Sequence, residues 1–371
     1  MGAAIYPGVE REKLSIEVTT RCNSACLHCF ARAGVSKHSS LPLNLAKKII
    51  AEGYDIGYRN LHITGGEPLL WPGLFKALDY GFGLGYQSVS MNSNGTLLTS
   101  EICSRLAAYD CFSLSVSLEG PEALHNLLRG GGSYRRAIRG IDNGLEAGLQ
   151  LDIFTTARKS LLPELPHFAD DLFKKFPGIS YLVLIQLICM KGTVFALIEE
   201  LLEPEDFIRL VQTVGLLNLS GLRSVVKKNP LANVVAQLLE MPWLPPVPAL
   251  YSQGSLIVHA DRNISAVHSK RDSFGKYSPG VISKVLASDE YQKATGPDET
   301  ICPRCQYIEA CSSNGVLRPS EGQKDMQDDE PYCRGVLDCI QEYRATIWDD
   351  RERRKIGVCR KASGSQSRMR D

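Results

Sequence analysis

Three cysteines stand close together near the start of the chain, in a spacing that suits an iron–sulfur cluster. Cys22, Cys26 and Cys29 form the pattern C-x3-C-x2-C directly after a short apolar run. Iron–sulfur clusters are held by cysteine thiolates, usually four of them. Because no fourth cysteine lies nearby in the sequence, one iron of a 4Fe-4S cluster would stay open to a small molecule. Buried structural cysteines and a zinc site are the two alternatives.

The triplet resembles the signature of the radical S-adenosylmethionine (radical SAM) enzymes. In that family the triplet follows the first strand, and the open iron binds the amino and carboxylate groups of SAM. The resemblance implies that Cys22, Cys26 and Cys29 hold a 4Fe-4S cluster with SAM bound to it.

The segment Gly65-Gly66-Glu67 follows the second apolar run of the chain. Neither glycine carries a Cβ, so the backbone can approach a ligand closely. On its own, G-G-E-P is also a common turn. The segment resembles the family's G-G-E loop, which implies that these three residues bind the SAM amino group. Asn94, in Asn-Ser-Asn-Gly, is similar to the family's T-N-G segment beneath the substrate, although Asn-Gly is also a favoured turn pair.

A fourth segment, Ser-Leu-Glu-Gly-Pro, contains Ser117 and Glu119 and is followed by His125 and Arg129. It resembles the family segment S-L-D-G-P, in which a serine and a later arginine hold the SAM carboxylate or ribose. The resemblance assigns that role to Ser117 and Arg129. Glu119 replaces the usual Asp, so no proton-accepting role is carried over to it, and His125 is interpreted as a structural hydrogen-bonding residue.

A second cysteine group lies near the C-terminal end of the chain. Cys302, Cys305 and Cys311 form C-x2-C-x5-C, and Cys333 follows after a gap. C-x2-C is also typical of zinc sites. The arrangement resembles the distal auxiliary cluster of the SPASM extension of radical SAM enzymes, which implies that these four cysteines hold one auxiliary 4Fe-4S cluster.

The proximal auxiliary cluster of that extension lacks its cysteines in this chain. His268 stands where the G-x4-C turn needs a cysteine, and position 315 is Gly. We therefore predict a SPASM/Twitch-like extension with one auxiliary cluster. Cys103, Cys111 and Cys189 fall in predicted core elements and are interpreted as small buried hydrophobic residues.

Composition limits the classes of partner. The chain has 371 residues and a formal net charge of +1, which gives no general attraction to nucleic acid or to anionic membranes. The N-terminal residues lack the pattern of a signal peptide, and the longest apolar run is too short to span a bilayer. Clustered cysteines in a chain without an export signal favour metal binding in a reducing cytoplasm.

The elements that must position these residues alternate between short β-type runs and helix-length segments. The predicted strands are Leu14–Thr19, Asn60–Thr64, Gln87–Met91, Phe112–Ser117, Leu151–Thr155 and Tyr181–Leu187. The predicted helices are Pro42–Tyr54, Gly73–Tyr80, Thr99–Tyr109, Ser133–Ala147, Pro163–Phe176 and Pro204–Leu217. Six βα units predict an α/β fold with parallel strands. The family resemblance implies a partial (β/α)6, TIM-like radical SAM barrel.

Four regions follow from these patterns. Residues 10–217 are the predicted barrel, 218–248 a helical and Pro-rich linker, 249–345 the cysteine-rich extension and 346–371 a basic, flexible tail.

The resemblance implies a radical SAM oxidoreductase that forms a 5′-deoxyadenosyl radical and oxidises or cross-links a peptide or small-molecule substrate. It also implies an external one-electron donor of the flavodoxin or ferredoxin type, and an auxiliary cluster that accepts an electron. Few residues precede the first strand, so the leader-binding domain of many peptide-modifying members is not expected. The alternatives are a redox-neutral radical SAM enzyme acting on a sugar or tetrapyrrole, and a non-catalytic iron–sulfur or zinc protein.

The cysteine spacing predicts the metal content of the protein. After anaerobic reconstitution we expect about eight irons per chain, in two clusters of four. Cys333→Ala should open a coordination site on one cluster, which iron analysis and electron paramagnetic resonance would detect. About twelve irons would indicate a second auxiliary cluster, and about four irons with one zinc would support the zinc interpretation.

Overall fold

A parallel sheet with helices packed on one face forms the described part of the chain. The computed structural model describes residues 13–29, 33, 39–188, 197–247, 254–266, 273–295, 305–311 and 332–342. Cys189, His268, Cys302 and Gly315, and the whole predicted tail, lie outside the described residues. Within these ranges the structure contains no helix with the length and hydropathy of a membrane span.

The sheet has nine strands in the order β7-β6-β5-β4-β3-β2-β1-β8-β9. The strands are β1 Leu14–Glu17, β2 Asn60–Thr64, β3 Ser88–Ser93, β4 Phe112–Ser117, β5 Gln150–Ala157, β6 Leu182–Gln186, β7 Ser224–Lys227, β8 Leu256–Val258 and β9 Ile264–Ser265. Every neighbouring pair is parallel except β8 with β9. The parallel α/β fold is confirmed, and it is consistent with a partial radical SAM barrel.

Helices connect the successive parallel strands, as a parallel sheet requires. They are α1 Leu43–Asp55, α2 Leu74–Leu84, α3 Ser100–Ala107, α4 Glu122–Arg129, α5 Ser133–Glu146, α6 Leu165–Lys175, α7 Pro204–Leu219, α8 Leu231–Leu238, α9 Val281–Leu286, α10 Asp289–Thr295 and α11 Ile308–Cys311. Residues 332–342 are helical as well. All six predicted helices are present, with ends shifted by a few residues.

The two faces of the sheet differ in polarity, because side chains alternate along a strand. In β4, Phe112, Leu114 and Val116 are buried against the helices, while Ser113 and Ser115 are half-exposed on the other face. We call the helix-covered face the outer face and the opposite face the inner face. Each helix packs an apolar stripe against the outer face of the sheet. The buried residues of the helices and the sheet form one hydrophobic core.

The sheet extends beyond the six predicted strands. β7 lies inside 218–248 and pairs with β6, while β8 lies inside 249–345 and pairs with β1. Sequence reasoning missed both strands because β7 has four residues and β8 has three, too few to show a clear alternation. Both ends of the sheet are therefore built from segments outside the predicted barrel.

Of the three cysteines predicted to be buried, Cys103 and Cys111 lie in the described part of the chain. Cys103 is fully buried in α3, as predicted. The prediction for Cys111 is wrong, because this residue is exposed in the turn that precedes β4. Cys111 lies just before β4, where the helices do not cover it.

Two helical glycines offer a matched test of this packing. A Cβ on Gly140 of α5 would lie 2.0 Å from the carbonyl oxygen of Gly95, whereas Gly83 of α2 faces open space. We expect Gly140→Ala to lower the free energy of unfolding by about 1–3 kcal/mol through overpacking. Gly83→Ala should raise it by about 0.5–1 kcal/mol. Denaturant unfolding measures both, and equal effects would contradict the close approach of α5 to Gly95.

Candidate metal and cofactor site

The predicted site residues meet at the edge of the sheet where β1 to β4 end. The thiol loop, residues 18–29, leaves β1, and Gly65–Glu67 leaves β2. Asn94 follows β3, and Ser117 is the last residue of β4. The carboxyl ends of parallel strands are where α/β proteins place their ligand sites.

Backbone hydrogen bonds fasten the thiol loop to the G-G-E segment. The Gly66 amide donates to the Thr19 carbonyl over 2.7 Å, and the Glu67 amide donates to the Arg21 carbonyl over 2.8 Å. A Cβ on Gly65 would lie 2.5 Å from the Thr19 oxygen, and one on Gly66 would lie 2.2 Å from the Arg21 oxygen. Both glycines therefore admit the backbone of the thiol loop, and only glycine fits there.

The Glu67 carboxylate is buried and already has three donors. It accepts hydrogen bonds from Ser93 Oγ at 3.0 Å and from the backbone amides of Asn94 at 2.8 Å and Leu69 at 3.2 Å. Burial raises the pKa of Glu67 to about 7, against the opposing effect of these hydrogen bonds. A carboxylate has about four acceptor positions, so one remains for a cation such as an ammonium group.

The Asn94 side chain is oriented by the thiol loop and by its own turn. Its Nδ2 lies 3.8 Å from Cys22 Sγ and donates to Asn23 Oδ1 at 2.8 Å. Its Oδ1 accepts from the Thr96 amide at 2.9 Å and from Thr96 Oγ1 at 2.7 Å. The amide therefore presents its N–H side to the sulfur of Cys22.

Arg129, at the end of α4, reaches the second thiol. Its Nη1 lies 3.7 Å from Cys26 Sγ. Nearby, the Leu27 amide donates to the Leu128 carbonyl at 2.9 Å and fastens the thiol loop to α4. Burial raises the pKa of Cys26 to about 11, and the Arg129 guanidinium opposes that rise. A fixed positive charge beside the thiol would stabilise its thiolate form.

Glu119 holds Arg129 in this position. Glu119 Oε1 accepts from Arg129 Nε at 2.8 Å and Nη2 at 2.6 Å, and lies 3.3 Å from His28 Nε2. Its Oε2 accepts from the Thr156 amide at 2.7 Å. Burial alone would raise the pKa of this carboxyl, but Arg129 and His28 hold it well below its usual range. Glu119 is longer than the Asp that is usual in the family segment. Its side chain contacts β5, α4 and the thiol loop at the same time.

Arg158, His125 and His28 lie near Glu119. The sequence did not predict the contacts of Arg158 and His28, and it predicted only a structural hydrogen-bonding role for His125. Arg158 is buried and donates to the carbonyls of Glu119 at 3.1 Å and Leu124 at 3.3 Å, which fixes the turn before α4. His125 Nδ1 accepts from the Glu119 amide at 3.1 Å, in keeping with its structural interpretation. No spacing pattern marks Arg158 or His28, because their partners are distant in the sequence.

The residues present suit a 4Fe-4S cluster. Cys22, Cys26 and Cys29 are free, half-buried thiols on one loop, and N–H groups of Asn94 and Arg129 are directed at two of the sulfurs. Hydrogen bonds to the sulfurs are a feature that tunes protein-bound clusters. Among the described residues no three Cys, His, Asp or Glu are grouped to hold one metal ion.

The second cysteine group is described only in part. Cys311 ends α11 and Cys333 lies in the helical residues 332–342, and both pack against the core. Cys305 is half-buried three residues before α11. Because Cys302 lies outside the described residues, the auxiliary cluster stays a prediction.

Comparison with known proteins gives one family match. Residues 16–164 match the model of the radical SAM superfamily. Over 161 residues the chain is 34% identical to an AdoMet-dependent heme synthase of Oleidesulfovibrio alaskensis, covering 43% of this chain and 40% of the relative. It is 33% identical over 136 residues to mycofactocin maturase MftC of Mycobacterium ulcerans, covering 36% and 37%. The chain thus matches well under half the length of these relatives.

Other similarities extend over more of the chain. A Fe-coproporphyrin III synthase of Methanosarcina barkeri is 24% identical over 363 residues, which cover 88% of this chain and 89% of the relative. The structure of anSMEcpe with bound AdoMet has a TM-score of 0.68 at 17% identity, covering 91% of this chain and 98% of the other. SuiB of Streptococcus suis bound to its precursor peptide SuiA has a TM-score of 0.65 at 16% identity, covering 82% and 71%. At such identities the structures show the shared fold.

Substitutions of Glu119 and Glu122 give a matched test of the buried ion pair. Glu119 is paired with Arg129 inside the site, while Glu122 pairs with Arg135 on the surface at 2.9 Å. Glu119→Gln leaves a guanidinium that is only 13% exposed without its counter-charge, and should lower the free energy of unfolding by about 3–5 kcal/mol. Glu122→Gln should change it by less than about 1 kcal/mol. Denaturant unfolding of both variants measures the difference, and similar values would refute the central role of Glu119.

Proposed function

Because this chain carries a radical SAM domain, we propose that it is a radical SAM enzyme that uses the thiol loop and its neighbours to hold a 4Fe-4S cluster and SAM. Together, when bound, these groups supply a 5′-deoxyadenosyl radical that takes a hydrogen atom from an unactivated C–H bond. One observation carries the proposal. Two N–H donors, Asn94 just after β3 and Arg129 in α4, converge on sulfurs of a loop that the G-G-E segment fastens to the sheet.

Each residue of the site has a separate proposed role. Cys22, Cys26 and Cys29 would bind three irons and leave the fourth to SAM. Glu67 has an acceptor position left for the SAM ammonium group, and a cation beside this buried carboxyl would stabilise its charged form. Gly65 and Gly66 keep the thiol loop close to Glu67.

Arg129 and Ser117 are proposed for the carboxylate or ribose of SAM. Arg129 is the better supported of the two, because its guanidinium lies beside Cys26. Its Nε and Nη2 are held by Glu119, which fixes the plane of the guanidinium. Ser117 ends β4 at the same edge of the sheet, where it pairs with Phe154.

We further propose that the reaction is an oxidation or a cross-link. Cys302, Cys305, Cys311 and Cys333 would hold an auxiliary 4Fe-4S cluster, and a cluster with four cysteine ligands has no open iron and suits electron transfer. An external donor of the flavodoxin or ferredoxin type would supply the first electron. A redox-neutral reaction is the second candidate.

Two substrate classes have support from the relatives. A peptide is favoured by the similarity of the fold to SuiB, whose structure includes a precursor peptide. A tetrapyrrole is favoured by the long match to a Fe-coproporphyrin III synthase, which spans most of both chains. We propose the peptide or protein residue as the first candidate, and the tetrapyrrole as the second.

Reductive cleavage of SAM tests the proposal. Anaerobically reconstituted protein should convert SAM to 5′-deoxyadenosine when dithionite is added. The triple variant Cys22→Ala, Cys26→Ala, Cys29→Ala should form none and keep about four irons per chain on the auxiliary site. Glu67→Ala and Arg129→Ala should each weaken SAM binding about tenfold or more, because each removes a charge-assisted contact.

Exposed Arg135 supplies the control for the arginine variant. Arg135→Ala removes a surface arginine that pairs only with Glu122 in the described part of the chain, so SAM affinity should stay at the wild-type value. Cleavage of SAM by the triple variant would refute the cluster assignment. Unchanged affinity in both the Glu67 and Arg129 variants would show that SAM binds elsewhere.

A further inference from the structure

The thiol loop has one side that is open to solvent. Every second residue of the loop from position 21 to position 27 is exposed: Arg21, Asn23, Ala25 and Leu27. Cys22 and Cys26 lie between them and are half-buried. The thiols therefore lie just beneath an exposed layer of the chain, and a protein that binds on this side comes close to them without entering the barrel.

Two exposed leucines flank the contact between the thiol loop and α4. Leu27 is 43% exposed, and Leu127 on α4 is 64% exposed. The hydrogen bond from the Leu27 amide to the Leu128 carbonyl joins the loop to this end of α4. The two side chains add nothing to the hydrophobic core, and they give the surface beside the thiols an apolar centre.

The segment between α4 and α5 consists of glycines and carries no side chains of its own. Gly130, Gly131 and Gly132 are all exposed, and we call them the glycine segment. A Cβ on Gly130 or Gly131 would meet no atom within 4 Å. The segment directly follows Arg129, whose Nη1 lies 3.7 Å from Cys26 Sγ. A partner protein can therefore come close to the contact between Arg129 and Cys26 at this point.

The helix α5 begins at the glycine segment with a group of positive charges. Arg135, Arg136 and Arg139 are exposed on its first two turns. Arg136 Nη1 would lie 3.5 Å from a Cβ on Gly132, so this guanidinium lies beside the glycine segment. Arg135 pairs with Glu122, whereas within the described ranges Arg136 and Arg139 have no carboxylate at ion-pair distance. Two positive charges beside the thiol loop thus remain for a partner.

The order of charges along α5 is the reverse of the order that stabilises a helix. The helix dipole favours acidic residues in the first turn and basic residues in the last turn. In α5 the first turn contains Arg135 and Arg136 and no acid, and the last turn contains Glu146 and no base. Helix stability therefore does not explain the arginines near the thiol loop. Complementarity to an acidic partner does.

These features form one surface beside the thiols, which we call the loop-side surface: Leu27, Leu127, Gly130–Gly132, Arg136 and Arg139. We propose that the loop-side surface docks an acidic one-electron carrier protein of the flavodoxin or ferredoxin type. The leucines form the apolar centre and the arginines the charged rim, as in other protein interfaces. Redox partners bind each other through small surfaces, so a surface of this extent is sufficient.

The inference rests on the proposed function, which needs one electron from outside the chain for each SAM that is cleaved. In the docked complex one electron passes from the reduced carrier to the cluster held by the thiol loop. The carrier is oxidised by one electron and the cluster is reduced by one electron. No bond forms or breaks at the loop-side surface, and no proton moves there. The arginines act on binding of the carrier and take no part in the reaction of SAM.

Binding of a bacterial flavodoxin to the reconstituted full chain tests the loop-side surface. We expect isothermal titration calorimetry to detect a complex that weakens as sodium chloride is added, because opposite charges meet in it. The charge-reversal variant Arg136→Glu, Arg139→Glu should weaken binding about tenfold or more. The variant Arg136→Lys, Arg139→Lys keeps both charges and should retain most of the affinity. Leu127→Ala should weaken binding without changing its salt dependence, because it removes apolar contact alone.

The source of the electrons separates docking from the reaction of SAM. With reduced flavodoxin below its dissociation constant, the charge-reversal variant should form 5′-deoxyadenosine about tenfold more slowly than the wild type. With dithionite the variant should match the wild type, because this small reductant needs no docked protein. A matching rate with dithionite also shows that the variant is folded and holds its cluster.

The double variant Arg209→Glu, Lys174→Glu is the matched control. Arg209 on α7 and Lys174 on α6 are exposed, and their reversal changes the net charge by the same amount. The control should bind flavodoxin as the wild type does. The inference would be overturned if the wild type did not bind flavodoxin or if the charge-reversal variant bound it equally well. Equal weakening in the control, or an equal loss of rate with dithionite, would overturn it as well.

The two proposals fail separately. Cleavage of SAM with dithionite, together with flavodoxin binding that does not depend on Arg136 and Arg139, would refute the docking surface alone. Arginine-dependent binding of flavodoxin without any cleavage of SAM by the wild type would refute the proposed function alone.

Discussion

The buried ion pair between Glu119 and Arg129 is the interaction on which the rest of the site depends. One carboxylate binds the guanidinium, the imidazole of His28 and the backbone amide of Thr156. These partners belong to α4, the thiol loop and β5. Breaking a buried pair leaves an uncompensated charge, which costs several kcal/mol. The geometry of the thiol loop is therefore coupled to the packing of the sheet.

A second constraint acts on the same loop from the opposite side. Gly65 and Gly66 bring β2 so close to the thiol loop that a Cβ at either position would collide with backbone oxygens. Main-chain contacts with the G-G-E segment hold one end of the thiol loop. The charges of the Glu119 ion pair hold the other end. Such a frame can present thiols at fixed positions while their side chains stay free to bind metal.

The two faces of the sheet are under different constraints. The outer face must be apolar to pack against the helices, whereas the inner face of β4 carries Ser113, Ser115 and Ser117 at half-exposed positions. The proposed cofactor chemistry depends on the loops at the carboxyl edge of the sheet.

The sequence by itself determined the parallel fold and the residues at the edge of the sheet. The alternation of β-type runs with helical stripes is a local property, and it predicted β1 to β6 with small errors at their ends. The spacing of Cys22, Cys26 and Cys29 is local as well, so the expectation of a cluster needed no structure. Cys111 was misplaced because burial changes within one residue at the end of a strand.

Only the tertiary structure decided which distant residues meet. Glu119 and Thr156 are far apart in the chain, and no periodicity links them, yet a hydrogen bond joins the segment after β4 to the neighbouring strand β5. The short strands β7 and β8 gain their structure from pairing with longer neighbours, so their own sequence carries too weak a signal. Contacts of this kind depend on register and strand order, which local propensity does not encode.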